Sequence, residues 1–184
     1  MADFVYTVSC YILALIFILS IWDKLAKWQV YLVKIKEYNI LPENLVAVFG
    51  WLSLLVELLL AFYFLTLQVN LYASMLFTLL MLIYTGAVSV NIYKGNTLIA
   101  CGCGGVLEND RLSLLIVYRN LALVLIGVGT SFLREEFMVH LPYFHFTSLL
   151  ISVSILMVYG VLVTFFEQLK LIKNLRMKLS YFED

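Results

Sequence analysis

Residues 44–67 read NLVAVFGWLSLLVELLLAFYFLTL, an unbroken apolar run in which Glu57 is the one charged side chain. Wound as an α-helix at about 1.5 Å per residue, a run of this length covers the ~30 Å hydrocarbon layer of a bilayer. Just before it, Ile40-Leu41-Pro42-Glu43-Asn44 forms a turn that closes one segment and opens the next. Four further runs free or nearly free of charge occupy residues 4–22, 71–93, 113–133 and 146–166. All are continuous and leucine-rich, without the apolar and polar alternation of a membrane β-barrel, so they predict helices. The expected fold is an all-α integral membrane protein, a bundle of about five transmembrane helices.

Composition agrees. With 64% hydrophobic and 13% charged residues, and two prolines in 184, the chain lies outside the range of soluble domains, whose apolar share is nearer half. Twelve Lys and Arg balance twelve Asp and Glu, and no basic run is long enough to follow a phosphate backbone. Nucleic acid is therefore excluded as a partner, and the lipid bilayer is the first one. Asp3 stands where a cleaved leader would be basic, and no small-residue cleavage site follows Ile21-Trp22, so the first run is expected to be a retained span.

Two stretches read as helices lying in the interface. Over residues 24–38, Leu25, Trp28, Leu32 and Ile35 recur at helical spacing beside Lys24, Lys27, Lys34 and Glu37. Over 167–180, Leu169, Ile172, Leu175 and Leu179 alternate with Lys170, Lys173, Arg176 and Lys178. With no linker, low-complexity tract or internal repeat, residues 1–184 form a single transmembrane domain. Five spans put the first loop, the loop after the third span and the C-terminal tail on one side, and that side carries ten Lys and Arg against one on the other. The positive-inside rule makes it cytoplasmic.

Chemistry concentrates in IACGCGGVLENDR, residues 99–111. A disulfide between Cys101 and Cys103 needs α-carbons roughly 4.4–6.8 Å apart, which an i, i+2 pair meets only in a folded turn. Gly102, Gly104 and Gly105 permit such a turn, because glycine enters positive-φ conformations without a Cβ clash. The small ring is strained and hence reducible, and closing it removes little unfolded-state entropy compared with the ~3 kcal/mol of a fifteen-residue loop. A labile redox pair fits better than a structural staple. A lowered thiol pKa would serve such a pair, with Lys94, Arg111 or Lys24 as the source of positive field. The bland alternative is that both cysteines merely pack a tight glycine turn in a non-catalytic assembly factor or chaperone. Cys10, deep in the first span, reads as a small packing residue. No metal site is expected, since Cys-X-Cys offers two ligands and His140 and His145 fall in the loop at the opposite face.

Glu57 stands ~20 Å and Arg119 ~10 Å into their spans from the cysteine end. A charge in hydrocarbon costs about 2.5–3.5 kcal/mol or more, so the two are expected inside the bundle, paired with each other. Asn120 follows Arg119, Asn91 ends the third span, and Asp23-Lys24 end the first, all on the cysteine side. One end of the bundle thus gathers the polar side chains. A quinone lodged between helices near Glu57 and Arg119 is the one cofactor that buried polar groups beside a thiol pair suggest. A carrier using that charge pair is disfavoured, because the five spans show no inverted repeat.

The order WDKL after the first span, a leucine-proline turn, LLVELLLAF in the second span, CGCGG after the third and YRNLALVL in the fourth resembles the MauE family, the methylamine-utilisation membrane proteins related to DoxX. The likeness covers roughly residues 5–133 and is most specific in Cys-Gly-Cys followed by Arg-Asn. It implies a four-helix core plus one C-terminal span, in a bacterial plasma membrane. It further implies a redox-associated protein that exchanges electrons with a thioredoxin-like partner through Cys101 and Cys103. In methylamine-utilising bacteria it implies a part in maturing the disulfide-rich small subunit of methylamine dehydrogenase. The matching positions are Lys24, Leu25, Glu57, Cys101, Gly102, Cys103, Gly105, Arg119 and Asn120. The family more often carries an aromatic where Gly104 stands, and it is expected to meet its partners outside the cytoplasm, against the charge count.

Overall fold

The computed structural model describes residues 2–104, 111–136 and 142–183. Among them the chain forms six helices and no strand: α1 (Ala2–Ala26), α2 (Trp28–Glu37), α3 (Glu43–Leu65), α4 (Leu71–Tyr93), α5 (Leu114–Glu136) and α6 (Pro142–Glu183). Four segments are long and apolar enough to cross a membrane, namely Asp3–Ala26, Glu43–Leu65, Leu71–Tyr93 and Phe146–Phe166, and α5 is apolar over Leu114–Thr130. This is the helical membrane bundle that the apolar runs specify. In hydrocarbon every backbone N–H and C=O must be satisfied within the segment, which is what a helix does.

Packing closes α1, α3, α4 and α5 into a ring, α1 against α3, α3 against α4, α4 against α5 and α5 against α1. Helix α6 leans on α1 from outside, and α2 lies along α3. At the centre the rings of Phe17, Phe64 and Phe77 meet within 5.6–6.3 Å of one another, two of the three contacts edge to face. Gly127 of α5 lets Phe77 in: a Cβ there would stand 2.2 Å from the Phe77 ring. Small residues serve membrane helices in this way, by letting neighbours approach where no hydrophobic force drives them together. Outward positions such as Trp51, Leu55, Leu58 and Phe62 stay exposed, as a lipid-facing surface requires.

Both segments expected to lie in the interface differ from the sequence reading. Residues 24–26 finish α1, the helix breaks at Lys27, and α2 begins at Trp28. Lys24 therefore belongs to α1, in register with Ser20, and is buried, while Leu25 is half exposed. The rest of the apolar stripe holds: Trp28, Leu32 and Ile35 pack over Gly50 of α3, whose missing side chain leaves room for them, and the Trp28 ring lies tilted against that of Trp51, 4.7 Å between centroids. At the C-terminus there is no break after residue 166, and α6 continues as one helix to Glu183.

Candidate functional site

Each helix of the ring presents a buried stripe at three- and four-residue spacing, and toward one end the stripe changes from apolar to polar. In α1 it runs Cys10, Leu13, Phe17, Ser20, Lys24, and in α3 Ser53, Glu57, Leu60, Phe64. In α4 it ends at Asn91, and in α5 Ile116, Asn120 and Leu123 face inward. Helical periodicity therefore carries Lys24 and Glu57 to the same place as the core phenylalanines. The Lys24 ammonium forms an ion pair with Glu57, each side chain 1% exposed. Tyr84 donates to Glu57 Oε1 at 2.7 Å, and the Lys24 ammonium lies near the faces of the Tyr31 and Tyr84 rings, 5.0 and 5.1 Å from their centroids. Glu57 and Arg119, expected to pair with each other, do not. Lys24 reaches the carboxylate first because it lies in register with Ser20, across the α1–α3 contact.

Above this pair the cysteine loop folds into the bundle. Gly102 and Gly104 both take positive φ, +69° and +74°, so the chain turns twice within three residues. Ser20 donates its hydroxyl proton to the Cys103 carbonyl at 2.6 Å, and its oxygen lies 3.2 Å from Glu57 Oε2. Tyr38 donates to the Cys101 carbonyl at 2.7 Å. Asn91 supports Tyr38 in turn, donating to its carbonyl at 3.2 Å and to that of Ala87 at 3.1 Å. The loop's base is shut by the Leu112 amide, which donates to the Thr97 carbonyl at 3.0 Å. A Cβ on Gly104 would come within 3.1 Å of the Ser20 carbonyl, so the aromatic common at this position in the family does not fit the turn this chain makes.

Cys101 and Cys103 are not joined by a disulfide, and both are buried. Their side chains share a hydrogen bond, and that bond, followed by burial, pushes the Cys103 thiol well above its ordinary range. The positive groups pulling it the other way are Arg119 and Lys24, whereas Lys94 and Arg111 are exposed. The expected lowering of a thiol pKa is thus reversed for Cys103: two thiols in contact, away from water, favour the protonated form more than two nearby cations favour the thiolate. Burial likewise raises the Tyr31 phenol, which stays neutral and hydrogen-bonds Ser53 at 2.7 Å.

Of the residues singled out from the sequence, Lys24, Glu57, Cys101, Gly102 and Cys103 converge, Arg119 acts on Cys103 from α5, and Asn91 holds the loop through Tyr38. Asn120 is buried in α5. Asp23 turns away and pairs with Lys27 at 2.9 Å on the outer side of α1. Gly105 and His140 lie outside the described residues. Cys10 is fully buried in the core. Sequence reasoning missed Ser20, Tyr31, Tyr38 and Tyr84, whose hydroxyls complete the site. The available signal was a hydroxyl in phase with the buried stripe of a span. Among the described residues no three His, Cys, Asp or Glu side chains gather as metal ligands.

Against the thiols lies a cavity of about 310 Å³ between α2, the turn at Ile40 and Leu41, α3 and α4. Its walls are almost wholly apolar or aromatic, with Cys101, Gly102 and Cys103 forming one side.

The family model described as Methylamine utilisation protein MauE matches residues 2–133, well over half of the chain and all of the four-helix ring up to the last turn of α5. No curated protein and no solved structure matches it. Fold, thiol turn and matched range agree, and the chain is a membrane-embedded, multi-pass member of the MauE family.

Proposed function

We propose that this protein is a thiol-disulfide redox component of the bacterial plasma membrane, accepting electrons from a thioredoxin-like partner through Cys101 and Cys103. In organisms that use methylamine, it would thereby serve maturation of the disulfide-rich subunit of methylamine dehydrogenase. The observation that carries this reading is the contact between two free thiols across Gly102, in a turn that Ser20 and Tyr38 hold by its carbonyls.

The direction follows from the surroundings of the pair. The thiol-thiol hydrogen bond exists only in the dithiol, and an interaction made only in the reduced form makes a couple more oxidising. The working cycle then starts from the ring. A thiolate of the partner attacks one sulfur of the Cys101–Cys103 disulfide, the ring bond breaks, and a mixed disulfide forms. The partner's second thiol attacks that bond, leaving an oxidised partner and, after protonation, a Cys101, Cys103 dithiol. Gly102, partly exposed above two buried thiols, is the point of approach.

The test is to oxidise the purified protein, add a reduced thioredoxin-like protein and count free thiols by alkylation. Transfer of two thiols per chain, abolished in the Cys101→Ser/Cys103→Ser variant, is the expected result. A pair that stays reduced at every poise that oxidises thioredoxin-like proteins overturns the reading.

A second reading is favoured by one observation, the burial of both cysteines at 6% and 8% exposure. In it the protein is a non-catalytic assembly factor, and the thiols only pack the turn. The same double serine variant separates the two in cells, since an assembly factor keeps its function and an exchanger loses it.

A further inference from the structure

The dithiol must be re-oxidised if it accepts electrons from partner after partner, and its surroundings point to the acceptor. Both sulfurs are screened from water, yet their loop forms a wall of the 310 Å³ cavity. That volume lies in the range of small-molecule sites, which are apolar and aromatic with a few polar groups. Among its lining, Leu82, Ile83 and Val90 are 43–51% exposed on α4, a segment long and apolar enough to span the membrane, and Ile40 of the α2–α3 turn is 48% exposed. A ligand therefore enters sideways from the bilayer, which selects a lipid-soluble molecule. The inner wall offers flat rings from Tyr31, Tyr38, Phe49 and Tyr84, suited to a planar ring. An acyl chain would fill the apolar volume but has no use for two thiols.

We infer that this cavity is the site of a membrane quinone that re-oxidises Cys101 and Cys103. The inference rests on the exchange reading above and names the electron acceptor that reading lacks. The step balances within the two molecules. Both S–H bonds break and one S–S bond forms, and the two electrons and two protons released convert the quinone to the quinol. No other oxidant or proton donor is needed. Tyr84 forms part of the cavity wall, its phenol held in place by the proton it donates to Glu57.

Gly86 supplies the test. It lines the cavity from α4, and a Cβ added there meets nothing within 4 Å, so a larger side chain grows into the space without a clash at its root. Gly129 of α5 is equally open and lies away from the cavity, which makes Gly129→Leu the control. The reduced protein in nanodiscs is mixed with decylubiquinone, and ring closure is followed by alkylation and gel shift, with diamide as a water-soluble oxidant in parallel. The expected result is ring closure by the quinone with one quinol formed per ring, slowed about tenfold or more in Gly86→Leu, a loss equivalent to one good apolar contact. Gly129→Leu should match the parent, and diamide should close all three alike. Should Gly86→Leu fold poorly, Val90→Phe at the rim tests the same passage. Closure by diamide but not by decylubiquinone overturns the quinone site and leaves the exchange reading standing, as does equal quinone oxidation of parent and plugged variants. Failure of diamide to close the ring overturns both.

Discussion

Lys24 of α1 and Glu57 of α3, thirty-three positions apart in the chain, form an ion pair sealed inside the bundle with each side chain 1% exposed. Removing one partner of such a pair leaves an uncompensated charge, which costs about 3–5 kcal/mol, whereas replacing both by apolar residues of similar size is often neutral or better. We expect Lys24→Met and Glu57→Leu each to lower stability by that amount in detergent unfolding titrations, and the double variant to recover most of it. Additive losses would show that the two charges do not depend on each other.

Ser20 and Tyr38 tether the cysteine loop through its carbonyls at 2.6 and 2.7 Å. Each bond contributes about 1 kcal/mol net. Ser20→Ala and Tyr38→Phe should each loosen the loop by about that amount and expose the thiols, which would appear as faster labelling by a water-soluble maleimide with little change in global unfolding. Labelling rates equal to those of the parent would mean that the loop is held elsewhere.

Raising a thiol pKa has a definite sign in pH dependence. Because the folded protein holds the Cys103 proton beyond the ordinary thiol range, the stabilisation linked to it is complete below that range and is lost as pH rises through the range toward the folded value. Alkylation of Cys103 in the Cys101→Ser variant should be slow at neutral pH compared with an exposed cysteine. Since Cys101 is the first cause of the raised value, the rise in rate with pH should begin lower in that variant than it does for Cys103 in the parent. Rates against pH for parent and variant check both points.

Gly127 admits the Phe77 ring, and a methyl group there has no room. Gly127→Ala is expected to cost about 1–3 kcal/mol through overpacking, while Gly129→Ala, two positions along the same helix and unobstructed, should be neutral or slightly stabilising. Thermal unfolding of the two variants side by side is the measurement.

The sequence alone determined that this chain is a helical membrane bundle and which family it belongs to. Those properties are local: a span is an apolar run of sufficient length, and Cys-Gly-Cys followed by Arg-Asn needs no third dimension to be read. It also showed that Glu57 must be compensated, since a charge in hydrocarbon cannot stand alone. Only the tertiary structure decided by what. Arg119 was the one basic residue the sequence placed within another span, but position along a helix does not give direction around it. The register of α1, which continues through Lys24 before the helix breaks at Lys27, turned Lys24 inward to meet Glu57. The same holds for the thiols, whose spacing across one glycine was legible while their burial, the hydroxyls of Ser20 and Tyr38 on their carbonyls and the cavity beside them were not. Each of those depends on residues dozens of positions away that meet only when four helices close into a ring.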